Sequence, residues 1–136
     1  MAQPKRHSPL LQGALREEAL RRLAELAREL ERPYETWALS QRPDDTGLRT
    51  TSLALGRCGL ALFYAWLWKT GLDDRAGDLA ARFLEEAIDL LPSQSMDASF
   101  LCGFPGVAWT AEHVLSVLDE IPDEDPNSGI DEALLA

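Results

Sequence analysis

Two stretches, Ser52-Leu53-Ala54-Leu55-Gly56-Arg57-Cys58-Gly59-Leu60-Ala61-Leu62 and Ser99-Phe100-Leu101-Cys102-Gly103-Phe104-Pro105-Gly106-Val107-Ala108-Trp109, are versions of one another. They superpose at an offset of 47 residues, the separation of Ser52 from Ser99. They match in the Ser, in both glycines of Gly-x-x-Gly (Gly56 and Gly59, Gly103 and Gly106) and in the Ala two residues on. A period of this size is what stacked helical hairpins leave in a sequence, because two helices and two turns pass before the pattern returns. Each Gly-x-x-Gly falls where a loop becomes a helix, so that the backbone can turn sharply and approach a neighbour with no Cβ in the way. These four glycines are assigned a structural role.

Working outward, Gly56 to Thr70 is a helix that is apolar nearly all round, with an unbroken run from Leu60 to Trp68, and it has to be covered on all sides. From Asp74 to Leu91, after Gly71 and with Asp73 or Asp74 as N-cap, Ala76, Leu79, Ala80, Phe83, Leu84, Ala87, Ile88 and Leu91 share one face. Asp78, Arg82, Glu85, Glu86 and Asp89 share the other, which describes an outer helix. Gly103 to about Leu118 repeats the inner type. Residues 9–31 form a further amphipathic outer helix, with a favourable Glu18–Arg22 pair and an unfavourable Glu25–Glu29 pair, preceded by a flexible terminus over 1–8. Pro33 to Thr51 is a loop anchored by Tyr34 or Trp37, and 122–136 is an acidic linker followed by the opening turns of another helix. The order outer, inner, outer, inner, with no strand, predicts an all-α fold of the α/α toroid or α-solenoid type. In such a fold the N-termini of the inner helices line one rim, bringing orphan N–H groups and positive dipole ends.

Composition narrows the function classes. The 136 residues are 46% hydrophobic, enough for one globular domain with a core. The formal charge of -10 leaves no basic footprint for nucleic acid or anionic lipid. Residues 1–32 carry seven Lys/Arg against five Asp/Glu, so the acidity belongs to the repeats and their tail, as a solvated face. Asp119, Glu120, Asp123, Glu124, Asp125, Asp131 and Glu132 are expected to have no basic partner. Cys58 and Cys102 lie in no metal-ligand spacing and are expected to be buried free thiols. There is no apolar signal region, and the Leu60–Trp68 run is too short to span a bilayer, so a cytoplasmic setting without membrane insertion is expected.

The two Gly-x-x-Gly copies, with Thr70-Gly71-Leu72-Asp73 and an amphipathic helix between them, resemble the hairpin repeats of the lanthionine synthetase C-like family over roughly residues 50 to 120. The second copy is the closer to that family's Gly-x-x-Gly-Ile-Ala-Trp pattern, and the first departs at Arg57-Cys58. The resemblance implies a LanC-like, six-hairpin toroid and a zinc enzyme that adds a cysteine thiol to a dehydroalanine or dehydrobutyrine of a precursor peptide, or a relative that uses glutathione. Zinc answers a chemical need: a thiol of pKa ~8.5 is only about 3% thiolate at pH 7, and coordination makes it thiolate outright. The family's ligands are a Cys two residues before the repeat glycine in one hairpin and a Cys-His pair directly before it in another. Here those places hold Ala54-Leu55 and Leu101-Cys102, so neither hairpin matches. Accordingly no metal role is carried onto Cys102, His113 is assigned to structure, His7 has no role, and no catalytic set is assigned. The inner Leu/Trp stripes are assigned to the core.

At the same period the next Gly-x-x-Gly falls near residue 150, so an incomplete toroid is expected, the amino-terminal portion of such a protein and inactive by itself. Exposed inner helices then imply self-association or a partner that completes the ring. The competing expectation is a short helical-repeat module that binds a partner helix or peptide on its inner face.

Overall fold

The computed structural model describes residues 10–32, 50–119, 125 and 127. Four α-helices and no strand occur among them: α1 (Gly13–Leu30), α2 (Arg57–Lys69), α3 (Ala76–Leu90) and α4 (Phe104–Val117), with a 3-10 turn at Leu91–Ser93. The chain divides into two compact units, residues 1–33 and 34–136. The expected terminus at 1–8, the anchoring Tyr34 or Trp37 and nearly all of the 122–136 linker lie outside the described residues.

The first unit is α1. It starts at Gly13, four residues later than the predicted 9–31 span, at a backbone of φ 55. The predicted Glu18–Arg22 pair forms at 2.9 Å, and Arg21 adds bonds to Glu18 at 2.6 Å and Glu25 at 2.5 Å. All are exposed, which keeps their contribution near 0–1 kcal/mol each. The placement of α1 as an outer helix lies outside what is described.

In the second unit α2 and α3 form an antiparallel hairpin against which α4 packs. The turn between them works through Gly71, whose φ of +68 suits a residue without Cβ. Gly71 N–H donates to Trp68 O and Leu72 N–H to Leu67 O, at 2.9 and 3.0 Å, closing the end of α2. Asp73 accepts the Arg75 N–H at 2.9 Å. This corrects the expected N-cap: Asp73 closes a turn, and α3 begins only at Ala76. Pro92 cannot continue α3, which ends at Leu90.

The core is built from one large pair among small residues. Tyr64 of α2 stacks on Phe83 of α3 with ring centroids 5.6 Å apart, and Ala61, Ala65, Ala80, Ala87 and Ala111 let the helices close around them. Burying each large side chain is worth about 1.5–3 kcal/mol. A smaller cluster of Cys58, Ala87 and Val107, flanked by Leu53, Met96 and Phe104, joins the start of α2 to the start of α4.

Three expectations are corrected here. The helix α2 is not covered on all sides: Trp66 is 47% exposed, and Leu62 and Phe63 are half-buried, because two neighbouring helices cannot surround a third. Trp109 on α4 is likewise 40% exposed, so the Leu/Trp stripes are only partly core. Asp119, in turn, does have a basic partner, since Lys69 Nζ lies 3.3 Å from its carboxylate across the ends of α2 and α4.

Candidate functional site

The repeated stretches fold into two copies of one turn, placed side by side at the starts of α2 and α4. Gly56 N–H donates to Ser52 O at 3.0 Å, and Gly103 N–H to Ser99 O at 2.9 Å. Arg57 N–H donates to Thr50 O at 2.9 Å, and Phe104 N–H to Asp97 O at 3.1 Å. Each bond of one copy is the other displaced by the 47-residue period. The second glycine of each copy faces the carbonyl six residues before it. A Cβ on Gly59 would lie 2.5 Å from Leu53 O, and one on Gly106 would overlap Phe100 O. Gly103 has the same need, since its Cβ would meet Asp97 O and lie 2.6 Å from Ser99 O. Gly56 caps α2 in an extended conformation. All four predicted glycines therefore sit at turn-to-helix junctions, and three of them touch backbone that leaves no room for a side chain.

The two turns are joined directly by the Ala54 N–H, which donates to Leu101 O at 3.0 Å. Those two residues are themselves equivalent in the repeat. The expected rim exists, but its chemistry differs from the expectation of open N–H groups. Carbonyls of Thr50, Thr51 and Asp97 fold back onto the amides of Arg57, Cys58 and Phe104, and Pro105 has no N–H. The turn that forms the rim also consumes its donors.

The two cysteines part company. Cys58 is fully buried, and burial pushes its thiol up to about 12, offset in part by a bond to the Thr110 hydroxyl. Cys102 is only partly buried, which corrects the expectation of two buried thiols. A native chain is expected to react with an aromatic disulfide reagent at one thiol near neutral pH, and at two once unfolded; fast labelling of both in the native state would contradict the burial of Cys58. Its raised value also fixes a sign. Above about pH 9 the unfolded thiol ionises while the folded one keeps its proton, so stability falls as pH rises from 9 toward 12. On the rim itself Asp97 is held below the usual carboxylate range by the Ser99 side chain and then by the Ser99 N–H, which donates at 2.8 Å.

Below the rim an aromatic row crosses from α4 to α2. Phe100 meets Trp109 edge-on at 5.7 Å, Trp109 stacks on His113 at 4.7 Å, and His113 lies 6.0 Å from the Trp66 ring. Phe100, Trp109 and Trp66 are 49%, 40% and 47% exposed. His113 is half-buried and engaged in stacking, in keeping with a structural role. Sequence reasoning expected an exposed inner face but not the place of Phe100 and His113 in this row. One signal was present, since the 47-residue offset carries Trp66 onto His113.

Zinc does not fit the described residues. They contain no group of three or more His, Cys, Asp or Glu that could hold a metal. Cys58 is committed to a buried hydroxyl contact, and the positions before the glycines are Ala54-Leu55 and Leu101-Cys102. No described helix is long and apolar enough to cross a membrane.

Comparison with known proteins agrees with the repeat. The family model for lanthionine synthetase C-like protein matches residues 48–121, a partial match that spans just over half of the chain and contains both turns. No curated protein and no solved structure matches the chain.

Proposed function

This chain belongs to the lanthionine synthetase C-like family, and from that premise we propose that it serves peptide modification as hairpin frame and peptide-facing surface of an α/α toroid, without supplying the metal. The observation that carries this reading is the doubled turn within the matched region, whose glycines support a close helix-to-turn approach and nothing catalytic. In the family's reaction a cysteine thiol adds to a dehydroamino acid with zinc, and a precursor peptide or glutathione supplies the thiol. The ligand positions here include Ala54, Leu55 and Leu101, none of which can ligate zinc.

Metal analysis after purification without chelator tests the reading. Well under one zinc per chain is expected, with no thioether formed on a dehydroalanine-containing peptide. One zinc per chain that is lost in Cys102→Ala would overturn it.

A second reading, a module that binds a partner helix, is favoured by the exposed row Phe100, Trp109, His113 and Trp66. Tryptophan emission separates the two. A shift with dehydroalanine-containing peptide and none with an unrelated amphipathic helix supports the peptide-facing frame, and equal shifts support the module.

A further inference from the structure

The internal seam between the two repeats is asymmetric, and each half of it recurs, without a partner among the described residues, at the far end of the other repeat. At the seam the first repeat offers a donor and an apolar side chain. Ala54 N–H bonds Leu101 O at 3.0 Å, and Leu53 Cβ lies 3.4 Å from the point where a Gly106 Cβ would stand. The second repeat answers with an acceptor and a glycine notch.

The 47-residue equivalence carries these groups onto the opposite ends. On the second repeat, Leu101 N–H stands for the Ala54 N–H and Phe100 for Leu53. Leu101 N–H has no acceptor among the described residues, and Leu101 and Phe100 are 57% and 49% exposed. On the first repeat, Ala54 O stands for Leu101 O and Gly59 for Gly106. Ala54 O accepts no hydrogen bond among the described residues. Among the described residues the Gly59 notch contains only the Leu53 carbonyl within 4 Å, whereas that of Gly106 also receives a side chain from the other repeat.

We propose that these two ends bind each other between copies of this chain, Phe100 and Leu101 N–H of one copy entering the Gly59 notch and meeting Ala54 O of the next. The occupant is argued from the seam itself, because the surface each end lacks is the one the other end carries. Such a contact is heterologous, so it propagates to rings or filaments and does not stop at a symmetric pair. The formal charge of -10 opposes the approach of copies, so association strengthens as salt screens it. This inference stands independently of the proposed function.

Sedimentation velocity over a concentration series of the full chain tests it, with two exposed substitutions that block opposite ends. Phe100→Glu removes the inserting side chain. Leu55→Glu places a charge beside Ala54 O, at the position that Cys102 holds at the internal seam. Wild type is expected to grow past the dimer with concentration, and more so at higher salt. Each variant, with a thermal melt unchanged from wild type, is expected to associate at least tenfold more weakly. A one-to-one mixture of the two is expected to form a dimer and nothing larger, because one intact head meets one intact tail. A wild type that stays monomeric at all concentrations, its ends then being covered by other parts of the chain, overturns the proposal. So does a mixture of folded variants that stays monomeric.

Discussion

Gly106→Ala is expected to lower the melting midpoint of the hairpin unit by more than about 10 °C, or to prevent its folding. The smallest possible side chain suffices. Its Cβ would overlap the Phe100 carbonyl oxygen and lie 3.1 Å from the carbonyl carbon. Both belong to backbone held by the same turn, so relief requires α4 to move off the Ser99–Gly103 loop, which also carries the seam bond from Ala54. A loss of about 3 kcal/mol or more follows from a forced defect of this kind, and a domain of this size loses roughly 4–8 °C per kcal/mol. Gly77→Ala is the matched control. Its Cβ would meet the Trp68 ring at 3.1 Å, a side chain that can shift, and alanine is favoured over glycine within a helix by about 1 kcal/mol. Its midpoint is expected to stay within about 5 °C of wild type. Equal melting of Gly106→Ala and wild type would refute the turn geometry described here.

The second large effect is at Arg57, the residue at which the first repeat departs from the family pattern. Its side chain is 8% exposed at the first position of α2; Nε donates to Glu86 Oε2 at 2.9 Å and Nη1 to Thr50 O at 3.3 Å. One guanidinium thus ties the rim turn to α3. Glu86→Ala takes one ion-pair partner from a guanidinium that is itself buried and is expected to cost roughly 1.5–3 kcal/mol, the range for a hydrogen bond to a charged group, held down because Glu86 is itself 40% exposed. Arg57→Met removes the charge and keeps the bulk, and Glu86 can turn to water, so a loss nearer ~1 kcal/mol is expected. Urea denaturation of both single variants and the double variant measures the coupling. If the double variant loses as much as the two singles summed, the ion pair has no role in stability.

The outcome at Arg57 illustrates what a repeat can and cannot disclose. Its equivalent in the second copy is Phe104, so the sequence marked position 57 as a departure without saying where the side chain goes. The answer came from α3, 29 residues away, which presents Glu86. The glycines are the opposite case. Their need is local, a carbonyl six residues back in the same turn, and spacing alone disclosed it for Gly59 and Gly106.

By itself the sequence determined the four helices of the described residues, their order along the chain, the turn-to-helix junctions at both glycine pairs and membership in the family, because periodicity and glycine spacing encode what the backbone does within one hairpin. The tertiary structure alone decided which side of each apolar helix is covered. An all-round apolar helix such as α2 carries no mark of the side left open: missing repeats imply that some inner side chains are exposed, but that Trp66 is open while Tyr64 and Leu67 are buried follows from where α3 and α4 lie. The same holds for the two thiols, alike in sequence, of which one is sealed against Thr110 and the other left partly open. It holds too for the rim, where the amides that a helix start leaves unpaired are taken up by carbonyls of the turn that precedes it. Burial and hydrogen-bond closure depend on neighbours distant in sequence, and a period of 47 residues fixes which units repeat without fixing what surrounds them.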